Sequence, residues 1–330
     1  MNNKAPIAII GAGIAGLSCA NTLCSAGFTV TLLDKSRGPS GRMSTRRGDG
    51  WQCDHGAQYF TARHTAFRAE VARWQAAGVA AAWQPRLSVI GGLAEHQPDA
   101  GLERFVGTPR MTAPARFLAD GLDLRLEATV SGLTRDAQGW LLDTREAGRL
   151  PERYAAVLLA VPAPQAIPLL QPLAAELAGL AAGTRMRGSW ALMLRYDSRP
   201  ALPFDAAFVN QGPLRWLARD SSKPGRQGKE TWLLHATAEW SEAHLEDSPE
   251  AVAEALLAAF AEIGGPAPDA WCAHRWRYAD TAVAHDHECT WDAGLRLGLC
   301  GDWLNGGKVE GAWLSGRALG QRVAAALAGG

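Results

Sequence analysis

Residues 11–16, GAGIAG, join a short apolar run, PIAII at 6–10, to a helix-patterned stretch, IAGLSCANTLCSA at 14–26. Glycine at the first of these positions permits a tight bend, at the third it lets a ligand approach the backbone, and at the sixth it lets helix pack closely on strand. Gly27 stands just past the helix end, where glycine is favoured, and FTVTLLD at 28–34 reads as a second strand. Strand, turn, helix and strand in this order make a parallel β-α-β unit with a right-handed crossover. The free N–H groups at the helix start and the positive end of its dipole suit a pyrophosphate. Asp34, ending the second strand, presents a carboxylate to which ribose hydroxyls can donate. The expected ligand is therefore a dinucleotide, lying along Gly11, Ala12, Gly13, Ile14, Ala15 and Gly16 with Asp34 and Lys35 at its ribose.

The next stretch, DKSRGPSGRMSTRR at 34–47, decides which dinucleotide. It carries Lys35, Arg37, Arg42, Arg46 and Arg47 behind one acid, in a chain whose 33 basic and 33 acidic residues cancel. An acid at position 34 would repel a 2′-phosphate, which argues against a phosphorylated nicotinamide cofactor. A second glycine turn through Gly41, Arg42 and Met43 would grip the same pyrophosphate from its other side, each charge-assisted hydrogen bond contributing about 1.5–3 kcal/mol. That arrangement suits extended, non-covalent FAD, and it leaves Arg46 and Arg47 without an assignment. A covalent flavin link through Cys53 or His55 is disfavoured.

A neutral net charge gives no global field toward nucleic acid or an anionic membrane. The six cysteines form no C-x-x-C pair and read as reduced, mostly buried thiols. The start of the chain has no basic, apolar and small-residue leader pattern, and its longest apolar stretch, AAVLLAV, is too short to span a bilayer. A cytoplasmic protein without nucleic-acid or membrane partners is expected.

Further along, 65–83 reads as a helix, and 122–148 as strands turning at Ala137–Gly139. YAAVLLAVPAP at 154–164 reads as a buried strand stopped by Pro162 and Pro164. SWALMLRYD, LRWLARD and ETWLLHATAEW, between about 187 and 240, read as strands. Ser248 caps a helix that starts at Pro249 and is closed by Gly264 and Gly265. The chain ends as strand, glycine-rich loop and helix. Dinucleotide-type patterns at both ends, around a strand- and tryptophan-rich middle, imply a nucleotide domain assembled from both ends with a sheet-based domain inserted.

GAGIAGLSCANTLCSAGFTVTLLDKSRGPSGRMSTRR, DHGAQYFTAR and CGDWLNGGKVEGAWLSGRAL together resemble the FAD-binding elements of the flavin amine oxidase superfamily, and within it most resemble the renalase family, particularly bacterial members. The resemblance implies an α/β fold with a Rossmann-type FAD-binding domain at 1–62, 105–162 and 290–330. A mixed-sheet substrate domain at 63–104 and 163–289 would complete an architecture like that of p-hydroxybenzoate hydroxylase. It implies that Gly11, Gly13, Gly16, Asp34 and Arg42 hold the ADP half of FAD and that Val130 meets the adenine. Asp302 would meet the ribityl chain or a phosphate, and the helix start near Gly311 and Ala312 would face the flavin pyrimidine edge. A helix N-terminus there stabilises the anionic reduced flavin.

DHGAQYF would bring Gln58 and Tyr59 to the reacting face, with Gln58 also touching the cofactor. Gln58, Tyr59, His235, Trp276 and Asn305 are the candidate catalytic residues. Trp232, Tyr278 and Trp303 are further candidate pocket walls, since aromatic rings can sandwich a flat substrate. Arg215, Arg275 and Lys308 are candidate phosphate contacts. His285, His287 and Cys289 have i, i+2 spacing, but no partner cluster accompanies them, so a loop rather than a metal site is expected. The resemblance implies an oxidase taking a hydride from the 2- or 6-dihydro isomers of NAD(P)H, giving NAD(P)+ and, with dioxygen, hydrogen peroxide. The alternatives are an amine oxidase or desaturase, with Lys308 in a water relay, and a non-catalytic FAD-binding module.

Overall fold

The computed structural model describes residues 5–92, 101–283 and 285–329; residues 93–100 of the expected 63–104 segment lie outside them. Among the described residues, strands Thr290–Asp292, Leu297–Leu299, Ala156–Leu159, Ile7–Ile10, Val30–Leu33 and Asp123–Arg125 lie side by side in that order. All neighbours are parallel except the first pair. Every residue of Ile7–Ile10, Val30–Leu33 and Ala156–Leu159 is buried, as a parallel sheet covered on both faces requires. Successive residues alternate between two cores: Ile7, Ile9 and Leu32 enter one, and Ala8, Ile10 and Leu33 the other. Burying each such aliphatic side chain contributes roughly 1.5–3 kcal/mol.

The helices Ile14–Ser25 and Val309–Ala328 meet nearly backbone to backbone. A Cβ at Gly316 would sit 1.9 Å from the Ala15 carbonyl oxygen, so only glycine allows this approach. The contact returns the end of the chain to the N-terminal turn. The carboxyl ends of the Ile7–Ile10 and Val30–Leu33 strands and of Ala156–Leu159, more than 100 residues further along the sequence, thus open on one crevice, where α/β sheets bind ligands.

A second six-stranded sheet runs Ala270–Thr281, Met186–Tyr196, Glu230–Ala236, Leu214–Arg219, Ala206–Val209, Leu87–Ile90. It is antiparallel except for its last pair. One face packs Leu192, Leu194, Trp232 and Leu234 against Val252, Leu256 and Phe260 of the helix Pro249–Glu262. On its other face Ala191, Met193 and Leu233 pack on Cys53, from a hairpin of Thr45–Gly48 and Trp51–Asp54. The α/β fold with a mixed second sheet is as expected from sequence.

Three readings need correction. The helix expected over 65–83 ends at Ala76, because Gly78, at φ +71°, takes the left-handed conformation that terminates helices. A strand, Ala80–Ala82, follows it and pairs with Phe105–Gly107. Pro162 and Pro164 stop a strand but also begin a helix, Ala163–Leu170, in which proline's missing N–H costs nothing at the first turn. The two longest strands, Met186–Tyr196 and Ala270–Thr281, were legible only in part for the first and not at all for the second. Ser248 caps its helix by accepting from the Ala251 N–H at 3.2 Å, as expected. No described helix is long and apolar enough to cross a membrane.

Candidate active site

Between the two sheets runs a continuous cleft of about 2640 Å³, more than twice the roughly 300–1,000 Å³ of a small-molecule site. Gly11, Gly13, Ile14, Ala15, Asp34, Lys35, Gly41, Arg42, Met43 and Val130 all line it, as do Asp302 and Ala312. The buried Ala12 packs in the core behind the turn. Gly11 has φ +106°, and a Cβ at Gly16 would lie 1.9 Å from the Gly11 carbonyl oxygen, whereas one at Gly13 would meet nothing. The first and third glycines of the motif therefore close the turn, and the second leaves its backbone open to the cleft. Gly13 is also the N-cap of the first helix and brings no side chain to it. The first intrahelical bond is Leu17 N–H to the Gly13 carbonyl at 3.0 Å, so the preceding N–H groups face a place for an anion. Asp34 steadies this edge by accepting from the Ala12 N–H at 2.6 Å and the Ser36 N–H at 2.8 Å.

Arg42 and Asp302, expected to hold different parts of one ligand, are paired with each other. Nη1 donates to Asp302 Oδ2 at 3.0 Å and to the Ala279 carbonyl at 3.1 Å, and Nη2 donates to Asp302 Oδ1. The bidentate fork is the reason, and it ties the 34–47 stretch to the C-terminal motif. The C-terminal helix begins at Val309, with Lys308 as its N-cap and cleft-lining neighbour. Gly311 does not line the cleft; a Cβ there would strike the Asn305 carbonyl oxygen at 1.7 Å, so its role is close packing.

The opposite wall is a row across the second sheet. Register places Trp216 opposite His235, His235 opposite Ala191, and Ala191 opposite His274. All four side chains therefore share the cleft face, with Trp276 two residues beyond His274 on the same face. Above them sits the loop His55–Gly56–Ala57. Its His55 carbonyl accepts from Trp276 Nε1 at 2.8 Å and from His235 Nε2 at 3.2 Å, which requires the Nε2–H tautomer of His235. The Ala57 N–H donates to the Arg42 carbonyl at 2.9 Å, and a Cβ at Gly56 would lie 1.9 Å from that same oxygen. The His55 ring stacks on Trp276 at 5.3 Å and meets His274 edge-on at 4.7 Å. Burial, with help from neighbouring positive charge, lowers the three imidazoles: His55 to about 3, His235 to about 4 and His274, under Arg46, to about 4. They are neutral hydrogen-bonding groups at neutral pH.

Behind that loop lies a charged cluster with no local signature in the sequence. Lys223 donates to Asp220 Oδ1 at 2.7 Å, Asp54 Oδ2 at 3.1 Å and Gln58 Oε1 at 3.2 Å, and Arg226 donates to Asp54. The Lys223, Asp54 and Asp220 side chains are wholly buried. Burial raises the Asp54 carboxyl, but Lys223 and Arg226 together outweigh it and hold it well below the usual range; Asp220 is pushed up to about 6 by burial and by Asp54. Gln58 is part of this cluster. Its amide donates to the Asp54 carbonyl at 2.7 Å, so it is turned behind the loop rather than into the main cleft.

Three other expectations change. Trp232 is in the core beside Phe204 and Phe260, because it lies three residues from His235 on one strand and so on the opposite face. Trp303 is also core and donates Nε1 to the Val161 carbonyl at 3.1 Å. Asn305 does not line the cleft; its N–H donates to the Asp302 carbonyl at 2.9 Å within a tight turn. Cys289 is buried, while residues 286–288 are exposed and His285 bonds Thr184 Oγ1 at 2.9 Å. No group of three metal-type ligands occurs among the described residues. Tyr59, Tyr278, Arg215 and Arg275 line the cleft.

A family model for flavin containing amine oxidoreductases matches residues 73–324, and one for an NAD(P)-binding Rossmann-like domain matches residues 9–73. The chain belongs to the flavin-containing amine oxidoreductase family. Its cofactor is FAD, and the open backbone at Gly13, the uncapped helix start and the size of the cleft fit that group. This family member is 41% identical over 69 residues to an L-amino-acid oxidase of Pseudechis australis, a match spanning 20% of this chain and 13% of that protein. In fold it resembles a protein from Exiguobacterium sp. 255-15 assigned as a protoporphyrinogen oxidase, at TM-score 0.77 and 15% identity over 98% of this chain and 99% of that one. It also resembles cyclohexylamine oxidase from Brevibacterium oxydans IH-35A, at TM-score 0.74 and 14% identity over 98% and 100%.

Proposed function

We propose that this protein is an FAD-dependent oxidase that takes a hydride from the 2- or 6-dihydro isomers of NAD(P)H. The observation that supports this reading is the charge of the cleft. Among its lining residues are thirteen lysines and arginines against four carboxylates, in a chain with 33 of each. FAD's own pyrophosphate accounts for part of this excess, and an anionic dinucleotide substrate accounts for the rest. A protonated amine would be repelled by the same field.

FAD, when bound, accepts the hydride and passes its electrons to dioxygen, giving hydrogen peroxide. The residues around it bind and orient. Gly11–Gly16, Asp34, Arg42 and Val130 hold the nucleotide half, Asp302 accepts from the ribityl chain, and Lys308 and the start of the C-terminal helix stabilise negative charge at the pyrimidine edge. Trp276, Tyr278 and Trp216 stack a flat ring, and neutral His235, His55 and His274 offer hydrogen bonds without competing positive charge. A dihydropyridine becomes aromatic on losing its hydride and needs no base, so orientation, which can supply about 7–11 kcal/mol, carries the rate. In this reading the two sheets correspond to a nucleotide domain and a substrate domain.

A second reading, an amine oxidase, draws support from the fold likeness to cyclohexylamine oxidase and from the position of Lys308 at the cleft, where a lysine–water relay would stand. Oxygen uptake at rising salt separates the two. Turnover of a dianionic dihydro-dinucleotide should fall with ionic strength as screening weakens its attraction, whereas an amine substrate repelled by the cleft should turn over faster. Uptake with cyclohexylamine but not with the dihydro isomers would overturn the proposal.

A further inference from the structure

Arg46 and Arg47 lie next to each other on a strand and so point to opposite faces of their hairpin. Arg46 reaches His274 Nδ1 at 3.4 Å. Arg47 stands directly opposite Gln52 in the register, and directly opposed residues share a face. Gln52 Oε1 in turn accepts from Arg110 Nε at 2.6 Å. Two guanidinium groups and one amide are thereby gathered on a single wall of the cleft, which all three line.

Neither Arg47 nor Arg110 has a carboxylate partner among the described residues, in contrast to Arg42, Arg215, Arg275 and Arg277 elsewhere in the cleft. Among the described residues the Arg110 guanidinium bonds the protein through Nε alone, and it lines the cleft. The strand also leads away from the buried part of the site. Met43 is 3% exposed, Arg46 is half-buried and Arg47 is exposed, so the pair stands nearer the mouth than the loop His55–Ala57. Unpaired guanidinium forks are matched to phosphate oxygens.

We propose that Arg47 and Arg110, braced by Gln52, form an anion subsite that takes a phosphate of the substrate while its dihydropyridine ring lies deeper, against Trp276. The subsite rests on the dinucleotide reading above. It would be a specificity device: it holds the part of the substrate that does not react.

The test compares flavin-loaded wild type with Arg47→Ala, Arg110→Ala and the double variant on three substrates. These are the dihydro isomers of nicotinamide riboside, of NAD and of NADP, carrying no phosphate, a pyrophosphate, and a pyrophosphate with a 2′-phosphate. KM for the dinucleotides should rise about tenfold per arginine, while KM for the riboside moves by less than about twofold. Equal effects on both dinucleotides assign the subsite to the pyrophosphate; an effect confined to the NADP isomer assigns it to the 2′-phosphate. Unchanged dinucleotide KM, or an equal rise for the riboside, overturns the proposal. If wild type oxidises none of the three, the dinucleotide reading fails, and calorimetric titration with inorganic pyrophosphate judges the subsite alone. Binding at least about tenfold weaker in the double variant supports it, and equal binding overturns it.

Discussion

The nucleotide end of the cleft and the wall across the second sheet are made in different ways. At the nucleotide end, recognition is done by backbone: glycines that close a turn, and N–H groups that a helix start leaves open. The wall across the second sheet is made of side chains brought together from positions 54–58, 216–235 and 274–276 by strand register and a buried ion cluster. Backbone devices need particular residues at fixed local spacing, whereas side-chain devices need only a fold that brings them together. The first kind is written in consecutive residues and the second is not.

The comparison breaks first at the backbone. Gly16→Val puts a Cβ where the Gly11 carbonyl oxygen lies 1.9 Å away, and the expected outcome is little folded protein and no bound flavin, measured as flavin absorbance per mole of protein. Lys223→Met leaves Asp54 and Asp220 buried without their shared cation and should cost about 3–5 kcal/mol in urea unfolding. A loss below about 1 kcal/mol would show that the cluster does not need its lysine. Arg42→Ala should weaken flavin retention by about 1.5–3 kcal/mol, roughly 10- to 150-fold in affinity. It should do so without unfolding the second sheet, which circular dichroism would check.

The N-terminal β-α-β unit and the glycine motif were legible because each is a local pattern. Gly11, Gly13, Gly16 and Asp34 announce their conformation within 30 residues, and the Ser248 cap and Pro249 do so within two. Trp232 and His235 show the limit. Both were read as pocket walls, although their odd spacing on a strand already separates them onto opposite faces. Gln58 was read as facing the flavin because DHGAQYF returns to it; Lys223, 165 residues away, draws its amide behind the loop. Nothing in DSSKPGR marks Asp220, Lys223 and Arg226 as buried, since charges in a short turn ordinarily face water. The strand Ala270–Thr281 escaped notice because two arginines, a histidine and an aspartate interrupt its apolar pattern. They do so because residues 274–280 line the cleft.

Smaller effects sharpen the contrast. In the unfolded chain histidines titrate near 6.5, while His55, His235 and His274 in the fold titrate at about 3 to 4. The unfolded state therefore binds more protons below about pH 6.5, and stability, complete above that value, is lost as pH falls toward 4. Asp220, raised to about 6, takes up a proton over part of that range and offsets one of the three. Melting temperature should thus drop on acidification, and His235→Gln should flatten the drop. Trp276→Phe, which keeps the stack on His55 but removes the Nε1 donor to its carbonyl, should cost only about 1 kcal/mol.

The central claim is that a cationic cleft facing a wall of neutral histidines and aromatic rings serves a dihydropyridine dinucleotide. Anaerobic mixing of the flavin-loaded protein with 2- or 6-dihydro-NAD, followed by flavin absorbance, tests it most directly. The expected result is rapid bleaching by these isomers and none by cyclohexylamine or putrescine. Rapid bleaching by either amine, with the dinucleotides inert, would contradict it.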